Sequence, residues 1–124
     1  MSEQVAYRIE RAKETYRDAV LLLEKGSLNS CINRLYYSVF YASIALLLKR
    51  GLEVKSHNGV KRKIGNLVVE GIIKKENAKI FGVLSDFRNK GDYDDLFDFS
   101  RETVEKLMNP AFAYIEDIEI ILKK

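Results

Sequence analysis

The sequence predicts an all-α fold, one antiparallel up-down bundle of four to five helices forming a single domain over residues 1–124. Three observations predict it. Apolar residues recur at steps of three and four through most of the chain, the period of an amphipathic helix. Single glycines and serines stand where each stripe pauses, as helix stops and caps do. No Asn-Gly pair stands between alternating apolar runs, so hairpins are not signalled.

The first helix is expected over about Glu3–Lys25, with Val5, Ile9, Ala12, Tyr16, Ala19 and Leu23 in one stripe. Gly26 ends it, and Ser27 offers a cap for the second helix, about Leu28–Arg50. That helix is apolar around most of its girth, which makes it the central one, and Gly51 stops it. Ser56 caps a third, about His57–Glu70, with Val60, Ile64 and Leu67 inward and Gly71 after it. A fourth, about Lys74–Lys90, turns Ile80, Val83, Leu84 and Phe87 inward, with Gly91 as its stop and residues 92–99 as a loop. Ser100 caps the last helix, Glu102 favours its positive end, and the stripe Val104, Met108, Ala111, Ile115, Ile118, Leu122 stays in phase across Pro110. One kinked helix is therefore expected there.

Composition narrows the function classes. At 47% apolar and 31% charged residues, the chain is too hydrophobic for a disordered tail and too charged for a membrane bundle. The apolar run within Leu35–Leu48 is interrupted by Tyr36, Tyr37, Ser38, Tyr41 and Ser43 and reads as a buried core helix. Cys31 is the one cysteine, which excludes an internal disulfide framework and a Cys-rich zinc site. Without a secretory segment at the N-terminus, the protein is expected in the cytoplasm, with no membrane partner. A net charge of +3 is compatible with RNA but too mild to imply it. No metal-ligand cluster, phosphate-cradling glycine loop or Ser-His-Asp arrangement is visible, so no cofactor and no metal is expected.

Three segments carry the remaining information: N-R-L-Y-Y-S-V-F-Y-A at Asn33–Ala42, K-S-H-N-G-V at Lys55–Val60, and D-F-R-N-K-G-D-Y at Asp86–Tyr93. Their order and spacing resemble the HEPN superfamily, in particular its small stand-alone prokaryotic, UPF0332-like branch. The resemblance covers nearly the whole chain. It implies a four- to five-helix bundle that forms a homodimer. It also implies metal-independent RNA cleavage and pairing with a minimal nucleotidyltransferase as a toxin–antitoxin module. The family's catalytic signature is an Arg, a polar residue directly after it, and a His five to seven positions beyond the Arg. Arg88 and Asn89 match the first two elements. Tyr93 stands where the His is expected at plus five, with Asp94 and Asp95 next. Some members also carry a tyrosine, two positions after the His, that the partner modifies with nucleotide. Asp95 holds that position here, and Tyr93 is near but out of register.

Metal-free RNA cleavage needs a base for the 2′-hydroxyl proton and a cation for the phosphorane. Arg88 suits the cation, because its fork matches phosphate oxygens. Asn89 suits orientation of the phosphate or the arginine. Tyr93, with a reference pKa of about 10, is a poor base at neutral pH. His57, the chain's one histidine, is read first as a structural or capping residue at the head of the third helix. Alternating helix directions would put Arg50, His57 and the Arg88–Tyr93 segment at one pole, where His57 can replace the missing base.

Arg34, Tyr37 and Tyr41 share one face of the second helix. That face is read first as a surface against a partner subunit and second as an RNA-stacking surface. Lys61, Arg62 and Lys63 with Lys55, joined by Lys74 and Lys75, form either a solvated face or a phosphate track toward Arg88. Two functions follow. One is a toxin-like ribonuclease built on Arg88, Asn89, Tyr93 and His57. The other is a non-catalytic module that dimerises and docks a nucleotidyltransferase or a nucleotide, with Arg88 paired to Asp92 four residues on.

Overall fold

Ser2 opens the first helix, its hydroxyl accepting from the Val5 N–H at 3.2 Å. The computed structural model describes residues 1–54 and 56–124 and contains five helices: α1 (Glu3–Lys25), α2 (Leu28–Lys49), α3 (His57–Val69), α4 (Lys75–Tyr93) and α5 (Arg101–Leu122). Gly26, Gly51 and Gly71 all stand at positive φ, the left-handed turn that closes α1, α2 and α3. Ser56 and Ser100 cap α3 and α5 by accepting from Gly59 and Thr103. Ser27 departs from expectation. Its side chain makes no cap bond, because the chain turns so tightly after Gly26 that Ser27 N–H is drawn back to Leu22 C=O.

Long-range contacts fix the directions. Asn29, at the head of α2, donates to Phe97 C=O at 2.9 Å and accepts from Phe99 N–H at 3.0 Å. Lys49, at its tail, donates to Leu122 C=O. So α5 runs with α2. It runs against α1, as Arg101 to Leu23 C=O and Tyr16 to Met108 C=O require. Helix α4 returns along α2 in the opposite sense, giving an up-down-up-down bundle of α1, α2, α4 and α5.

Helix α3 breaks the alternation. It starts beside Tyr36 through His57 and ends beside Arg50 through Glu70, so it travels with α2. The two stretches, about 13 residues on α3 and 14 on α2, have similar lengths of roughly 20 Å. The connection after Gly51 doubles back along α2 to make this possible. Arg50 therefore lies far from His57, contrary to the shared pole expected from alternation.

The core is centred on α2, whose Leu35, Tyr36, Val39, Ala42, Leu46 and Leu47 are all buried. The helix is long and apolar enough to cross a bilayer, yet most of it is packed inside the bundle. Its buried hydroxyls are satisfied locally: Ser38 donates to Leu35 C=O and Ser43 to Val39 C=O. Ser43 also meets the Tyr114 hydroxyl at 2.6 Å. On α5, Pro110 lies inside one continuous helix.

Two expectations about α4 need correction. Its inward residues are Ile80, Phe81 and Leu84, while Val83 is half-buried. Phe81 goes inward because Tyr36 and Tyr114 offer it aromatic partners, at centroid distances of 6.1 and 6.3 Å. Gly91 does not stop the helix, which runs on to Tyr93. A Cβ at Gly91 would lie 3.0 Å from the Phe99 ring, so glycine is there for close approach. Phe99 is itself wedged between Phe87 and Phe97.

Candidate functional site

The rotation of α4 toward Phe81 and Leu84 carries Arg88, four residues past Leu84, onto the same buried face. Its Cζ lies 5.1 Å from the Tyr36 ring centroid and 5.5 Å from that of Tyr37. The side chain is only 17% exposed, and its Nε faces Asp92 Oδ2 at 3.5 Å. That contact is ionic and too poorly aligned for a hydrogen bond, so buried Nε has no hydrogen-bond partner among the described residues. Asp92 reaches it because α4 stays helical through Gly91, placing the acid one turn on.

His57 arrives at the same ring from α3. Its Nδ1 is 2.6 Å from the Tyr36 hydroxyl. The imidazole stacks on Phe40 at 4.5 Å and on Tyr36 at 5.7 Å, and meets Tyr37 edge-on at 5.9 Å. Yet the residue keeps substantial exposure to solvent. Gly59 helps hold it. A Cβ there would come 2.5 Å from Val54 and 2.8 Å from the Ser56 capping oxygen, so only glycine admits this α3 entry.

The electrostatics follow from the packing. Burial, and after it the Arg88 cation, holds His57 below its ordinary value of 6.5. Burial pushes the Tyr36 phenol up to about 12, against the opposing pull of Arg88. At neutral pH the pair is thus a neutral imidazole and a neutral phenol. When Nδ1–H donates to the Tyr36 oxygen, the other ring nitrogen presents a lone pair, which is the form a general base requires.

The other sequence candidates divide. Asn89 and Tyr93 stand about 100° and 140° around α4 from Arg88, and both are exposed. Those angles turn both away, Tyr93 because α4 stays helical past Gly91, so they do not join the Arg88–His57 cluster. Arg34 stacks on Tyr37 at 5.2 Å and donates from Nε and one terminal nitrogen to Asn33. Beside it is a shallow depression of about 350 Å³, lined by Leu22, Asn29, Ser30, Asn33, Arg34 and Asp92. Lys61 lies one turn along α3 from His57, whereas Arg62 points to another side; both are exposed. Lys74 and Lys75 sit at the start of α4, about 20 Å from Arg88 along the helix, so these two do not extend a track to it. Lys55 is outside the described residues.

Tyr36 is the partner that the sequence-based site left out, whereas the pairing of Arg88 with Asp92 four residues on was expected and is present. A signal existed for the cluster. His57 continues the stripe Val60, Ile64, Leu67, and Arg88 continues Phe81 and Leu84. A polar residue on an apolar stripe points inward.

A HEPN-domain family model matches residues 5–121. The chain belongs to the HEPN family. This HEPN protein is 35% identical over 120 residues to a UPF0332 protein of Thermotoga maritima, covering 96% of this chain and 91% of the relative. A Methanocaldococcus jannaschii protein named as a candidate toxin is 30% identical over 123 residues, covering 98% and 91%. A second protein of that organism, named in the same way, is 24% identical over 110 residues, covering 86% and 74%. The small stand-alone HEPN class and the helical bundle expected from the sequence both hold.

Proposed function

We propose that this HEPN protein is a toxin-type endoribonuclease that cleaves RNA without a metal, using His57 as general base and Arg88 as the phosphate-binding cation. The observation that carries the reading is the convergence of both side chains on Tyr36, from helices well apart in sequence. The names of the Methanocaldococcus jannaschii relatives support the toxin type. In the step, the free His57 nitrogen takes the 2′-hydroxyl proton and the 2′-oxygen attacks phosphorus. The terminal nitrogens of Arg88 hold the phosphorane oxygens. The bond to the 5′-oxygen breaks, that oxygen takes a proton from the imidazolium, and a 2′,3′-cyclic phosphate remains. Tyr36 is a positioning residue, setting the imidazole through Nδ1. Cyclic-phosphate ends on RNA cut in EDTA, and no cut at 2′-O-methyl positions, are the expected products. Cleavage of the 2′-O-methyl strand would contradict the mechanism.

A second reading rests on the Arg88–Asp92 contact. If that pair keeps the guanidinium occupied, the segment is a non-catalytic docking surface for a minimal nucleotidyltransferase. Tyr93, 74% exposed at the end of α4, is then an accessible acceptor for a nucleotide. Homodimerisation fits both readings. Retention of partner binding by Arg88→Ala, with no RNA cleavage by the wild type, is the outcome that favours this one.

A further inference from the structure

Helices α1 and α5 leave a groove between them on the outside of the bundle. It holds about 610 Å³ and is walled mostly by apolar surface, with Tyr16, Val20 and Ile115 among its lining. Phe112 leans on the Tyr16 ring at 5.3 Å between centroids and is still 45% exposed, and Leu21 is 62% exposed. Charge divides by sign between the two rims. Lys13 and Arg17, four apart on α1, make one rim basic, and Glu116 and Glu119, three apart on α5, make the other acidic. Lys13 and Glu119 pair within the chain. Arg17 and Glu116, about one turn further along their antiparallel helices, are exposed and form no ion pair among the described residues.

We infer that this groove is a self-association face, closed by a second copy of the chain through a two-fold axis parallel to the helices. That operation lays α1 of each copy antiparallel against α5 of the other, at matching heights. Arg17 then faces the partner's Glu116, Leu21 faces the partner's Phe112, and symmetry makes each contact twice. A two-fold axis across the helices would instead set α1 on α1 and oppose like charges. The two helices have 23 and 22 residues. The face they form is about 33 Å long and roughly 20 Å wide, which approaches the ~800 Å² that a standard interface takes from each partner. RNA is the poorer occupant, because its phosphates would meet Glu116 and Glu119. Among the described residues α1 touches α2 and α5 and makes no contact with α3 or α4, so the groove lies across the bundle from the Arg88–His57 cluster. It uses none of Arg34, Tyr37 and Tyr41, the surface the sequence offers to a partner subunit. Pairing here leaves both Arg88 clusters uncovered and does not depend on whether the chain cleaves RNA.

The test is sedimentation equilibrium of the full chain as wild type, Arg17→Glu, Glu116→Arg and the double variant, each checked for native helicity. The wild type is expected to self-associate. Each single substitution sets like charges against each other at two symmetry-related places and should weaken association about 10-fold. The double variant restores opposite charges and should regain most of the wild-type affinity. Unchanged association in both single variants, a double variant no tighter than the singles, or a monomeric wild type overturns the face. Loss of association in Tyr41→Ala with both single variants unaffected moves the contact to α2 and also overturns it. So does a monomeric wild type whose groove takes up an apolar dye, with uptake lost in Leu21→Glu, which assigns the groove to a small apolar ligand.

Discussion

The Tyr36 hydroxyl lies 2.6 Å from Nδ1 of His57, and this contact joins the central helix to the head of α3. Tyr36→Phe keeps the rings stacked and removes the oxygen. Folding should lose about 1 kcal/mol in urea unfolding. Cleavage should fall about 10-fold, less than the ~100-fold or more expected for loss of the base itself. If Tyr36 acts by positioning the base, the fall should appear in kcat with little change in KM. An unchanged kcat would remove Tyr36 from the mechanism.

Acid sensitivity follows from His57. Its folded value is depressed below 6.5, so the unfolded chain takes up the proton first as pH falls. Its contribution to stability is complete above about 6.5 and is lost as pH drops through the folded value. Urea midpoints measured across that window should fall for the wild type and flatten for His57→Gln. The acid limb of kcat/KM should likewise lie below 6.5. A limb above that value would assign the base elsewhere.

Asp92 separates the two functional readings. As a competitor for Arg88, it weakens phosphate binding, and Asp92→Asn should tighten RNA several-fold, with a steeper salt dependence. As part of a docking surface it is needed, and Asp92→Asn should weaken capture of the nucleotidyltransferase. Anisotropy and pull-down on the same variant read the two outcomes.

Cys31 is expected to be silent. Its thiol donates to Ala19 C=O at 3.2 Å, and burial pushes its pKa up to about 11. Thiolate is the reactive form, so a disulfide reagent should label it only after unfolding. Fast labelling of the native protein would contradict the packing.

Glycine substitutions probe the geometry of α4. Added carbon at Gly82 meets open space, so Gly82→Ala should stabilise by about 0.5–1 kcal/mol through helix propensity. Gly91→Ala gains the same propensity but presses on Phe99, which is 6% exposed and boxed in by two phenylalanines. It should therefore stabilise less than Gly82→Ala or destabilise. Equal gains at both positions would show that Phe99 yields freely.

Much of the fold is legible along the chain because stripes, caps and stops are local. The stripes of α1 and α5 stand where the spacing puts them, and Ser56, Ser100, Gly26, Gly51 and Gly71 act as expected. Non-local effects are not legible. Gly91 looks like a stop until Phe99 is known to press against it. Val83 and Phe81 are equivalent by spacing until Tyr36 and Tyr114 select the aromatic. Alternation of direction fails at α3 because the chain after Gly51 doubles back, which composition does not encode. The same reversal separates His57 from Arg50 and delivers it to Arg88, so that pairing was expected from a premise that does not hold.

RNA cleavage in EDTA by the wild type, Arg88→Ala and His57→Ala, each checked for native helicity, tests the central claim most directly. A ribonuclease built on His57 and Arg88 should cleave as the wild type and lose about 100-fold or more in both variants. Full activity in folded His57→Ala, or no cleavage by the folded wild type, would contradict it.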